Sequence, residues 1–146
     1  MKTNDFLHAL DNDRIVAAIL DAENRSRGEI RVHVTAQATT EVEAAARAQF
    51  EKLDMTKTAL RNGVLIYVAP VSQRFAVIGD SGIHERCGPT FWADIAAAME
   101  ADFRAGRFTD GIVKGVHEAA AALARYFPRE GPTPDVNELS NDVTRD

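Results

Sequence analysis

Apolar residues recur along this chain with two different periods, and the switches between them mark out its elements. Asp11, Asn12 and Asp13 are candidate N-caps, and Ile15, Val16, Ile19 and Leu20 follow at helical spacing. That helix is expected to fade between Ser26 and Gly28, where glycine supplies a stop. GEIRVHVTA then alternates Ile30, Val32 and Val34 with Glu29, Arg31, His33 and Thr35, the pattern of a strand with one buried face. Thr39 or Thr40 can cap a helix from about Glu41 to Leu53, where alanines and Phe50 give a moderate helical signal. Asn62-Gly63 is a stop, and VLIYVA after it is continuously apolar, as in a strand buried on both faces. The short connection Pro70 to Gln73 into RFAVIGD favours an antiparallel hairpin. A helix between the first two strands favours a parallel, right-handed crossover.

Beyond Asp80 the pattern is helical. SGIHERCG reads as one short helix, and Pro89 is placed to begin the next. There Phe91, Ile95, Met99 and Phe103 form a stripe at spacings of four, which Gly106 ends. Thr109 and Asp110 are candidate caps for a last helix with Ile112, Val116, Ala119, Ala120 and Leu123 on its core face. Pro128 stops it. The expected fold class is α/β, a three-layer sandwich with a mixed central sheet of at least three strands and helices on both faces. The expected organisation is one domain over residues 1–128 and a mobile tail over 129–146, where prolines, acids and polar residues show no period.

Composition narrows the function classes. The chain has 146 residues, 45% of them hydrophobic, enough for one core. Its net charge of −5 lacks the positive field that phosphate backbones require, so nucleic acid is not an expected partner. One cysteine, Cys87, permits neither an intramolecular disulfide nor a cysteine zinc cage, and is expected as a small, partly buried apolar residue. No stretch approaches the roughly 18 apolar residues of a membrane span, and the N-terminus shows no signal-peptide core. A cytoplasmic location is expected.

The runs FEKLDMTKTALRNGVLIYVAPVSQRFAVIGDSGIHERCGPTFW and FRAGRFTDGIVKGVHEAAAALARYFP resemble the TPM domain, over roughly Ile15 to Pro128. The strand NGVLIYVA, the strand and loop RFAVIGDSGIHE, and the helix start FTDGI carry the likeness through their order and spacing. The short branch of the family, without signal peptide or membrane anchor, is the part it resembles. The resemblance implies an α/β sandwich that binds a divalent cation, Ca²⁺ or Mg²⁺, in loops at one end of the sheet. It further implies either acid phosphatase activity or association with membrane proteins, because the fold serves both. Longer members tend to have glycine–leucine–glutamate after the third strand and an aspartate several residues on. This chain has Gly82-Ile83-His84, with Glu85 next and Pro89 near the aspartate's place, so both positions depart from the pattern.

Among single residues, Asp80 stands first. It closes a buried strand and opens a helix, where sites gather in open α/β sheets. Its carboxylate can ligate a hard cation or simply cap the next helix. Glu29 opens the first strand, and an antiparallel third strand would bring Asp80 to the same sheet end. Otherwise Glu29 is a strand-edge acid. His84 lies four residues after Asp80 and is either a nitrogen ligand or a surface histidine. Glu85 and Asp110 complete the candidate metal set, with a helix cap as the other role of Asp110. Phosphate-loop, serine-elbow, zinc-helix and cysteine-phosphatase signatures are all missing from the sequence. Whether the domain is an enzyme is left open, between a metal-dependent phosphatase and a non-catalytic module that docks a membrane-associated protein. Trp92 and Phe91 are expected in the core.

Overall fold

The computed structural model describes residues 1–129 and 142–146. Its elements are α1 (Thr3–Ala9), α2 (Asn12–Arg25), β1 (Glu29–Val34), α3 (Val42–Lys52), β2 (Gly63–Ala69), β3 (Arg74–Gly79), α4 (Ser81–Cys87), α5 (Pro89–Arg104), α6 (Phe108–Tyr126) and β4 (Thr144–Arg145). The sheet order is β3-β2-β1-β4. β1 and β2 run parallel, from Glu29 beside Gly63 to Val34 beside Val68. β2 and β3 run antiparallel, from Val64 beside Gly79 to Ala69 beside Arg74, joined by a single 3₁₀ turn over Pro70–Ser72. This is the expected mixed α/β sandwich with its helical crossover and its hairpin.

Strand alternation divides the core in two. Ile30, Val32 and Val34 join Val64, Ile66, Val68 and Val77 on the face packed by α2, α5 and α6. Leu65, Tyr67, Ala76 and Ile78 face the other way, onto Ala46 and Phe50 of α3 and onto Met55. Every residue of β2 is buried, so its apolar run without a polar side is accounted for. Trp92 is buried and Cys87 packs against the larger core as a half-buried free thiol.

Several local expectations change in three dimensions. β1 buries all six residues, Glu29, Arg31 and His33 included, because polar partners rather than water meet its second face. Asp11 caps α2 by accepting from the Arg14 N–H, as expected. Neither Thr39 nor Thr40 caps α3, whose N-cap is Glu41 without a side-chain bond; the Thr39 N–H instead donates to Ser72 Oγ at 2.8 Å. Asp110 is not a cap either. α6 begins one turn earlier at Phe108, which frees Thr109 Oγ1 to accept from the Asp11 N–H at 3.0 Å and sets Asp110 against Arg14 at 3.1 Å. Helix α1 lacks a periodic signal because a single side chain, Phe6, is fully committed to the core, against Phe108 with ring centroids 4.9 Å apart. Of the expected mobile tail, residues 130–141 lie outside the described residues. Its last residues form β4, parallel to β1, with His33 beside Thr144 and Val34 beside Arg145. A strand this short has no periodicity to display.

α5 and α6 are joined by a tight turn in which Gly106 takes a φ of +78°. The turn is clamped by Asp102, whose buried carboxylate accepts from Arg107 at 2.8 and 3.0 Å and meets Lys114 Nζ at 3.2 Å. The bonds from Arg107 and then Lys114 hold the Asp102 carboxyl below the usual carboxylate range. Since the folded-state pKa is depressed, this stabilisation is present above the unfolded value, about 3.9, and disappears as pH falls through the folded value. Asp102→Asn should therefore flatten the acid limb of the stability profile below about pH 4 relative to wild type. Thermal midpoints measured across that range decide it; superimposable acid limbs would remove Asp102 from the acid response.

Candidate functional site

At the end of β3 the Asp80 N–H donates to Gly63 O at 2.9 Å, extending the ladder by one bond. The Asp80 side chain is buried, and Oδ1 accepts from the Ser81 N–H at 2.7 Å as the N-cap of α4. Both oxygens also receive a guanidinium: Arg61 Nε donates to Oδ2 at 2.7 Å and Nη2 to Oδ1 at 2.9 Å. Arg61 sits in the loop entering β2 with a left-handed φ of 51°. Its bond to Asp80, and then the Asp80 charge, raise its pKa further. Asp80 is thus a cap, as one of its two expected roles required. A planar cation already spans its carboxylate in the position a bidentate metal would take.

The register brings Glu29 and Asp80 to the same sheet end. Glu29 lies beside Gly63, and Gly63 accepts from Asp80, so the three residues form one row across β1, β2 and β3. Alternation puts both acids on the α3 face. Two strand spacings still separate them by roughly 10 Å. His84 is one helical turn on, but its Nδ1 accepts from Trp92 Nε1–H at 2.9 Å. Indole only donates, so Nδ1 carries no proton in this bond and offers no lone pair to a metal. Glu85 is exposed on α4. Asp110 is remote from all of these, two residues after Phe108, which lines a cavity with Val68, Ala69 and Pro70 at the opposite end of β2. Among the described residues no three His, Cys, Asp or Glu side chains gather to hold a metal ion.

Arg61 is the residue that chain inspection missed. One signal for it existed: in an antiparallel β2–β3 hairpin, the residue before Asn62-Gly63 falls beside the residue leaving β3. The second missed feature is a groove of about 660 Å³ along the outer side of β3. Val42 and Arg47 of α3 form one wall and Trp92, Ala93 and Ala96 of α5 the other, with Phe75 to Gly79 as floor and Asp80 and His84 at one end. β3 is the terminal strand, and among the described residues no strand pairs with its outer edge.

A family model described as the TPM domain matches residues 1–122. The NMR structure of the BA42 protein from the psychrophilic bacterium Bizionia argentinensis is similar at 39% identity and a TM-score of 0.83, covering 92% of each chain. The solution structure of the N-terminal domain of a protein from P. gingivalis shares the fold at 17% identity and a TM-score of 0.65, covering 84% of this chain and 83% of that one. No curated protein matches the chain. Among the described residues no helix is long and apolar enough to cross a membrane.

Proposed function

Because the chain belongs to the TPM-domain family, we propose that it serves as a binding module of that family, taking an extended polypeptide segment along the outer edge of β3. The observation that carries this reading is the edge itself. A terminal strand presents unmet N–H and C=O groups, which is a template for strand addition. Here α3 and α5 flank that edge and leave a groove of about 660 Å³ with apolar walls at Val42, Trp92 and Ala96. The resemblance to the TPM family supports a membrane-associated protein as the source of the segment. The test is selection of random displayed peptides against the wild-type chain and against Ala96→Arg, which fills one wall. Expected are apolar peptides that shift the amides of Phe75 to Asp80 and weaken about tenfold on Ala96→Arg, a change of about 1.4 kcal/mol. Peptides that map elsewhere, or that ignore the substitution, would overturn the reading.

A second reading is a divalent-cation domain, with Ca²⁺ or Mg²⁺ at Asp80 and metal-dependent phosphatase activity. In its favour, Asp80 and Glu29 share a face and an end of the sheet. Against it, Arg61 spans both Asp80 oxygens and His84 Nδ1 is bonded to Trp92, so the donors as arranged do not suit a hard cation. If this reading holds, Arg61→Gln removes the competing cation and should tighten Mg²⁺ or Ca²⁺ binding. Amide shifts at Asp80 to Glu85 during metal titration read it directly. Shifts absent from wild type and variant alike at millimolar metal would end it.

A further inference from the structure

Four phenylalanines from separate elements meet at the end of the sheet opposite Asp80. Phe6 of α1 lies 4.9 Å from Phe108 of α6, centroid to centroid, and Phe108 lies 6.2 Å from Phe103 of α5. Phe103 in turn meets Phe75 of β3 edge-on, with centroids 4.9 Å apart and planes at 84°. Together with Val68, Ala69 and Pro70 at the end of β2, the four rings line a cavity of about 500 Å³. Phe6 is fully buried there, but Phe75, Phe103 and Phe108 are only half-buried. Three large rings thus keep apolar surface inside a concavity whose volume is that of a small-molecule pocket. Covering such surface with an apolar group is favourable. The polar part of the lining is cationic, although the chain as a whole carries −5. Among the lining side chains Arg74 and Arg104 stand against one acid, Glu100. Arg104 Nη2 donates to Glu100 Oε1 at 2.9 Å, which offsets one of the two positive charges. Both arginines are exposed, so the surplus charge lies where the cavity meets solvent.

We infer that this cavity is a binding site for a small aromatic carboxylate, with its ring system against the phenylalanines and its carboxylate received by Arg74 and Arg104. A guanidinium offers paired N–H donors that match the two oxygens of a carboxylate, and it keeps its charge at every physiological pH. An aromatic body gains edge and offset contacts with the existing rings that an acyl chain of equal area does not. A cationic body would suit the rings but would meet two arginines at the mouth. Glu100 tempers the site, because its carboxylate already engages Arg104 and competes with the ligand for it. Among the described residues, the cavity and the β3 groove have only Phe75 in common. Occupation of one therefore does not require the other, and each can be blocked alone.

The experiment is an amide-shift titration of the full chain with 2-naphthoate, with 2-naphthamide as its uncharged counterpart and octanoate as its aliphatic one. Saturable shifts are expected at Val68, Ala69, Gln73 to Phe75 and Phe103 to Phe108. 2-Naphthamide should bind about tenfold more weakly, as should 2-naphthoate to Arg74→Gln/Arg104→Gln, because charge-assisted hydrogen bonds are lost in both cases. Glu100→Gln releases Arg104 and should tighten 2-naphthoate about threefold, a gain that a purely structural role for these charges would not produce. All three side chains are exposed, so the variants should keep the wild-type amide spectrum in the absence of ligand. Ala96→Arg, which blocks the β3 groove, should leave 2-naphthoate affinity unchanged. No saturable shift at millimolar 2-naphthoate, or equal affinity for 2-naphthamide or for the double variant, would overturn the site. Octanoate binding as tightly as 2-naphthoate would overturn the aromatic class of the ligand. Shifts along Ala76 to Asp80 that vanish in Ala96→Arg would place the ligand in the groove and overturn the assignment to this cavity.

Discussion

Gly82→Ala should destabilise the domain by about 2–3 kcal/mol, near the upper end of overpacking costs. Within a helix, alanine is normally the better residue by about 1 kcal/mol, so local propensity argues the other way. The obstacle is tertiary. The Gly82 N–H donates to Arg61 O at 2.7 Å, drawing the start of α4 onto the loop that enters β2. A Cβ at this position would overlap Leu60 O and stand 2.6 Å from Arg61 O, both backbone atoms with little freedom to move. Relief requires α4 to lift, which also pulls the Asp80 cap away from Arg61. Urea midpoints with an unchanged m-value report the loss cleanly. Glu85→Ala, on the exposed side of the same helix, is the matched control and should stay within about 0.5 kcal/mol. A neutral or stabilising Gly82→Ala would show that α4 is not clamped to this loop.

Trp92→Ala should cost more, about 3–5 kcal/mol, the range for truncating a buried aromatic to alanine. The indole is 9% exposed and packs edge-on against Phe91, with centroids 5.0 Å apart and planes at 78°. It also covers Gly79 at the end of β3 and donates to His84. Against a total of about 5–15 kcal/mol for a domain of this size, the loss takes a large share of the stability. Trp92→Phe separates the contributions: it keeps most of the buried area and forfeits the bond to His84, so its cost should be about 1 kcal/mol. The chain has one tryptophan. Circular dichroism therefore follows both variants, while in the wild type indole emission reports directly on occupation of the β3 groove. A Trp92→Ala variant within about 1 kcal/mol of wild type would contradict the core role of the ring.

The legible parts of the fold are those where neighbours in sequence are neighbours in energy. VLIYVA has no polar side, so it needs a layer on each face, and it has one. The turn Pro70–Ser72 is too short for anything but a hairpin. Asp80 was legible as a strand-end carboxylate and helix cap for the same reason. Thr109-Asp110-Gly111 looks like a helix start, yet Phe108 has its own place against Phe6 and carries the helix one turn earlier, so Asp110 is not the cap. The alternation in β1 suggests one buried face and one polar face open to water. Alternation specifies two chemically different faces, and water is only one way to satisfy the polar one.

From the sequence alone came the element types other than α1 and β4, and the parallel and antiparallel joins, which follow from hydrophobic period, loop length and local capping acting over a few residues. The family came from the resemblance of several motifs in order, not from any period. The tertiary structure alone decided the partners of the charged groups. Asp80 meets Arg61 across 19 positions and His33 meets Asp146 across 113. The energy of a buried charge depends on what sheet register and chain return place within about 3 Å of it, and no spacing along the chain encodes that distance.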